Sequence, residues 1–235
     1  HRVKVLPRTS LVMLRTIILL LYLMPSPYLT AETALPKSLL LSYTDHPTVI
    51  QYHLPVIKQA YEKLGIKVQF TAMPIERGFI QLNNGDTDGD VIRPLSRIEQ
   101  YKNLIAVGQL LDNVRIVVFC RFGKPCEPEV LNNPENTILT TVDIKSFDFS
   151  ADWQAKVHII SRYEMFYALF KAKRFDYFVY TLTQNENYQH KFDNVNYFVL
   201  KDMPAHHVLH KKYHFMQEQV SEAIKQVLMK SNDPL

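Results

Sequence analysis

Between Ser38 and Arg93 the sequence alternates short apolar runs with stretches of helical period, and that alternation leaves few folds open to it. Residues 38–43, Ser-Leu-Leu-Leu-Ser-Tyr, have the length of a buried strand and end in the polar loop Thr44-Asp45-His46-Pro47. Val49, His53, Val56, Ile57, Ala60, Tyr61 and Leu64 recur at helical spacing until Gly65 stops them. Residues 66–73 are rich in strand formers. Pro74 then opens a second helix, which carries Phe79, Ile80 and Leu82 as far as Asn83-Asn84-Gly85, and Val91-Ile92 is a further short strand. Strand, helix, strand, helix, strand is the rhythm of a mostly parallel sheet with helices on its faces.

After one more strand, Arg115 to Cys120, the rhythm restarts. Residues 137–142 and 156–161 read as strands, 162–173 as a helix and 176–182 as a strand. The stretch 183–196 is polar and loop-like, residues 197–200 form a last short strand, and Met216, Val220, Ala223, Ile224, Val227 and Leu228 mark a long amphipathic C-terminal helix. Two α/β units in so short a chain predict two small lobes with a cleft between them. The first lobe is expected over 35–118 plus 200–235 and the second over 119–199.

The segment before them reads as an export signal, residues 1–31 with its natural start at Met13. A basic Arg15 precedes the apolar run Ile17 to Met24, then come Pro25-Ser26-Pro27 and a small residue at Ala31. The run is shorter than the roughly 20 residues that cross a bilayer. Cleavage after Thr30 or Ala31 would release a periplasmic protein. The segment also holds Arg2, Lys4, Arg8 and Arg15 and no acid, so the chain's 27 Lys and Arg fall to 23 without it, against 23 Asp and Glu. A neutral mature chain has no cationic surplus for nucleic acid. In an oxidising compartment Cys120 and Cys126, six apart across a Gly and Pro turn, are most simply a disulfide.

Several short motifs add a family likeness. Pro74-Ile75-Glu76-Arg77-Gly78, followed by Leu82-Asn83-Asn84-Gly85-Asp86-Thr87-Asp88-Gly89-Asp90-Val91-Ile92-Arg93, resembles the first lobe of bacterial extracellular solute-binding proteins of family three, the polar-amino-acid type of periplasmic binding protein (type II). Tyr101 to Val107 is similar to the follow-on segment of that family. Leu169 to Tyr177 resembles its Gly-Arg-x-Asp helix-to-strand junction. The resemblance implies a two-lobed α/β fold, each lobe a mostly parallel sheet flanked by helices. It also implies a monomer that closes on a small polar solute and delivers it to an ABC transporter or a sensor in the membrane. Amino-acid-binding members usually carry Thr-x-x-Arg after the third strand. In Pro94-Leu95-Ser96-Arg97-Ile98-Glu99-Gln100 no Arg is read at the matching place, which counts against an amino-acid ligand.

In open α/β sheets ligands sit beyond the carboxyl ends of strands, near helix N-termini that favour anions. Tyr43, Asp45, Arg77, Arg93, Ser96, Ser161 and Arg162 fall at such places, and Tyr180 of the aromatic patch 166–180 is a further cleft contact. Arg77 and Arg93 are expected to converge on one carboxylate as exposed cleft residues whose loss weakens binding and leaves the fold alone. No cofactor or metal is expected. His206, His210 and His214 at i, i+4, i+8 could line one helix face, but Lys211 and Lys212 argue for a solvated face. Asp86, Asp88 and Asp90 lack the spacing of a calcium loop. No catalytic residue is assigned. The alternative is a dehydratase-like enzyme on the same scaffold acting on a small carboxylic acid, for which Glu76 and Glu164 are loose candidates.

Overall fold

The computed structural model describes residues 34–140, 152–160, 163–184, 186, 188–190 and 192–231. The expected export segment, the ends of the strands expected at 137–142 and 156–161, and Ser161 and Arg162 lie outside them. The elements are β1 (Ser38–Tyr43), α1 (Leu54–Lys63), β2 (Lys67–Ala72), α2 (Ile75–Asn84), β3 (Gly89–Pro94), a short α3 (Leu95–Ile98) and β4 (Leu104–Arg121). There follow β5 (Thr137–Thr140), β6 (Lys156–Ile159), α4 (Tyr163–Lys171), β7 (Tyr177–Leu182), β8 (Val195–His210) and α5 (Gln217–Ser231).

The strands form one sheet in the order β2-β1-β3-β8-β4-β7-β5-β6. At one end β1 runs parallel to β2 and β3; at the other β5 runs parallel to β6 and β7. Between them β4 and β8, 18 and 16 residues long, pair antiparallel along their whole length. Two parallel ends joined by two long shared strands are the two-lobed α/β architecture the alternation predicts. The core holds two large clusters, the first of which also runs into the second lobe through Val130, Ile138 and Val179. One cluster packs α1 and α5 against the first lobe through Ile57, Tyr61, Val220 and Ile224. The other is an aromatic nest of Phe119, Phe166, Phe178, Tyr180 and Phe192 in the second lobe. That nest absorbs most of the aromatic patch, as its density of rings implies.

The long strands correct two local expectations. The sequence shows a strand at 115–120 and another at 197–200; both extend much further because each satisfies the other's backbone across polar positions such as Asp112, Asn113 and Asp202. A helix carrying His206, His210 and His214 does not form. His206 and His210 lie in β8, where spacing of four also keeps one face, and His214 sits on a 3-10 turn after it. His206 Nδ1 bonds the Val107 carbonyl at 3.0 Å, and His207 on the opposite face is fully buried. The described residues contain no group of three or more metal-ligating side chains. Asp88 instead accepts from the Leu40 amide at 2.8 Å and the Tyr213 hydroxyl at 2.7 Å, stapling β1 to the end of β8.

Cys120, fully buried at the end of β4, forms a disulfide with Cys126. Reduction is expected to lower stability by at most about 3 kcal/mol, because the closed loop is short. Thermal unfolding of reduced, alkylated protein beside the oxidised form measures this. Two thiols that alkylate freely in the unreduced protein would contradict the bridge.

Candidate ligand-binding site

β1 and β3 run parallel to each other and β7 runs opposite to them, so their carboxyl ends meet from two directions and shape one cavity. Thr44 follows β1, Arg93 and Pro94 close β3, and Thr181 and Thr183 lie at the end of β7. Val114 of β4 and Met203 and Ala205 of β8 complete it between the lobes. Its volume is about 90 Å3, room for several waters and far more than the single-water minimum. Val49 and His53 reach it from a widened π turn, Val49–His53, that leads into α1. Such turns displace side chains from ordinary helical positions and recur at functional sites.

The cationic side is built on Phe79. Arg93 and Arg97 each place their guanidinium 5.1 Å from its ring centroid, and Tyr101 stacks on the ring at 5.0 Å. Arg93 is only 3 % exposed. Its Nη2 donates to Asp90 at 2.7 Å and its Nη1 to Thr44 Oγ1 at 2.6 Å. Asp90 also accepts from Ser42 Oγ at 2.7 Å and the Ile92 amide at 3.2 Å. Burial raises the Asp90 carboxyl above the usual carboxylate range, while Arg93, Ser42 and Ile92 pull the other way. Gly78 makes room for this pair: a Cβ there would meet Arg93 Nη2 at 2.8 Å. Arg97, on α3, is ion-paired with Glu76 in the first turn of α2.

Two carboxylates, Glu186 of the second lobe and Asp112 of β4, tie the walls around the site together. Thr48 Oγ1 donates to Glu186 Oε2 at 3.0 Å, and Tyr180 Oη donates to Glu186 Oε1 at 2.6 Å. Burial and the Glu186 charge raise the Tyr180 phenol far above its ordinary range, which keeps it a donor. Asp112 accepts from His53 Nε2 at 2.8 Å and from the Gln184 amide at 3.1 Å. Both bridges span the cleft.

Among the sequence-predicted residues that the structure describes, only Arg93 lines the cavity, and as a buried ion pair in place of the exposed charge expected. Tyr180 stands behind the wall, its ring 5.6 Å from that of His46. Tyr43 is half-buried against the first-lobe core, while Asp45, Arg77 and Ser96 are exposed outside the lining. The partner of Arg93 at Phe79 is therefore Arg97, because Arg77 falls on the outer face of α2. A signal for Arg97 was present: Pro94-Leu95-Ser96-Arg97 keeps the x-x-Arg spacing with Pro in place of Thr, which corrects the reading that no Arg falls there. Glu76 is not a free acid, and the side chain of Glu164 lies outside the described set. His53, Asp112, Thr183 and Glu186 carried no sequence signal, since each is polar in a stretch that also reads as helix face or loop.

The fold is a two-lobed α/β one, periplasmic-binding-protein-like in its architecture. Solved structures similar to this chain agree on the fold. A mutant of ArgBP from T. maritima superposes with a TM-score of 0.65 at 16% identity, covering 83% of this chain and 90% of its own. The GluR0 ligand-binding core from Nostoc punctiforme in complex with L-glutamate gives 0.68 at 13%, covering 82% and 94%. The ancestral amino-acid-binding protein AncCDT-1, a precursor of cyclohexadienyl dehydratase, gives 0.65 at 15%, covering 83% and 91%. No protein-family model and no curated protein matches the sequence.

Proposed function

We propose that this chain is an exported, monomeric solute-binding protein whose lobes close on a small carboxylate-bearing ligand at the Arg93–Arg97 cavity. A membrane transporter or sensor would then receive the ligand. The observation that carries the reading is the cavity itself: it lies beyond the strand ends, between the lobes, with two guanidinium groups gathered on one aromatic ring. The division into 35–118 plus 200–235 and 119–199 belongs to the same proposal. Closure would then turn on β4 and β8 near Ile116–Val117, where their register slips. The similar structures named as amino-acid binders favour binding over catalysis. The ion pairing of Glu76 weighs against the dehydratase-like alternative.

Thermal-shift screening of the mature protein against amino acids, amines and small carboxylates is the test. A ligand at a hundred times its Kd should stabilise the fold by about 2.7 kcal/mol. Stabilisation by amines alone, or by nothing in the panel, would sink the reading. With the best carboxylate in hand, Arg97→Ala should weaken binding roughly ten- to a hundredfold in titration calorimetry, the worth of one or two hydrogen bonds to a charged group. The fold should change little, because the Glu76 left behind has a half-exposed side chain that water can solvate. Unchanged affinity would move the anion site elsewhere.

A further inference from the structure

Three polar atoms of the cavity-lining side chains are buried with no partner among the described residues: Arg93 Nε, His53 Nδ1 and Thr183 Oγ1. Their residues are 3 %, 5 % and 3 % exposed. Leaving such a group unsatisfied is costly, so each marks a bond open to a ligand. The three do not ask for the same thing. Arg93 Nε–H is a donor and needs an acceptor. His53 is oriented by Asp112, whose carboxylate can only accept, so His53 Nε2 carries the proton. In the uncharged ring His53 Nδ1 is then a lone-pair acceptor and needs a donor. The Thr183 hydroxyl turns to suit either.

Charge narrows the ligand further. Among the described residues, no Asp or Glu lines the cavity. The acids around it already accept hydrogen bonds from the protein: Asp90 from Arg93, Glu76 from Arg97, Asp112 from His53, and Glu186 from Thr48 and Tyr180. Val49, Phe79, Ile92, Val114 and Met203 supply an apolar wall. A ligand ammonium in such a space would lose its hydration without gaining a carboxylate.

We infer that the site selects a small 2-hydroxy carboxylate over the corresponding amino acid, with His53 as the residue that reads the hydroxyl. The carboxylate faces Arg93 and Arg97, the hydroxyl donates to His53 Nδ1, and a short apolar remainder meets the wall. A 2-oxo acid of the same skeleton offers only acceptors and leaves His53 Nδ1 facing an oxygen lone pair. The inference rests on the solute-binding reading above and adds the substrate class.

Two matched trios test it by titration calorimetry on the full chain. One is lactate, alanine and pyruvate; the other is 2-hydroxy-4-methylpentanoate, leucine and 4-methyl-2-oxopentanoate. In at least one trio the hydroxy acid is expected to bind tenfold or more tightly than both relatives. His53→Phe should bring the hydroxy and oxo acids within about threefold of each other. Should that variant fail to fold, the comparison on the unaltered protein still decides. Binding without a tenfold preference for the hydroxy acid in either trio overturns the inference and leaves carboxylate binding standing. Absence of binding by all six at 10 mM overturns the carboxylate reading and the inference with it.

Discussion

Replacing Arg93 by alanine is expected to destabilise the protein by about 3–5 kcal/mol, the penalty for stranding one member of a buried ion pair. Asp90 is 1 % exposed and has Arg93 as its charged partner at 2.7 Å. Without the guanidinium, Ser42 and the Ile92 amide still donate to it, but nothing offsets its charge, and it would take up a proton or draw in water. The lost stacking on Phe79 adds to the effect. For a domain of this size the change amounts to a fall in Tm on the order of 10 °C. Urea unfolding followed by circular dichroism measures it. Asp90→Asn in the Arg93→Ala background should recover part of the loss, since a neutral amide leaves no lone charge. A stability change within about 0.5 kcal/mol would mean that Arg93 is the exposed cleft residue the sequence alone suggested.

Acidification is expected to weaken the fold through His207. Its Nδ1–H donates to the Val91 carbonyl at 3.3 Å and its Nε2 accepts from the Tyr61 hydroxyl at 2.8 Å, which fits the neutral ring. Burial is the main cause that lowers its pKa from 6.5 to about 4; the Val91 and Asp90 carbonyls oppose it. Between those values the unfolded chain binds a proton that the folded one refuses. His207 therefore contributes stability that is complete above pH 6.5 and is lost as pH falls towards 4. The depth of that loss is on the order of 3 kcal/mol. Denaturant midpoints from pH 7.5 to 4 will trace it. In His207→Phe the slope between pH 6.5 and 4 should flatten, though the variant is less stable at every pH because Tyr61 loses its acceptor. A slope unchanged by that substitution would assign the pH dependence to other groups.

The candidate site was partly legible before any coordinates. Strand ends are visible as the point where an apolar run turns polar, and Thr44 and Arg93 sit at two such points. Arg97 also stands at the x-x-Arg spacing, whereas closeness to a strand end favours Arg77. Being close to a strand end in sequence does not tell which face of α2 a side chain takes, and the turn placed Gly78, not Arg77, against Arg93. His53 is the clearest case of a residue hidden by its neighbours. Its spacing with Val49, Val56 and Ile57 is that of a core helix face, and only the Asp112 carboxylate, 59 residues away, gives it a chemical role.

What the sequence determined by itself was local: the alternation of strand and helix, the Gly85 turn that ends α2 at φ 86°, the cysteine pair and the two-lobed class. These depend on residues within a few positions of one another, where period and turn chemistry act directly. Tertiary structure decided the length of β4 and β8, the strand state of His206 and His210, and the pairing of Arg93 with Asp90 and of Arg97 with Glu76. Each of these requires a partner from a distant segment or a burial that no local pattern encodes. Backbone groups of β4 extend across polar residues because β8 lies alongside to receive them. A charge such as Arg93 goes inside because Asp90, Thr44 and the bare backbone at Gly78 meet it there.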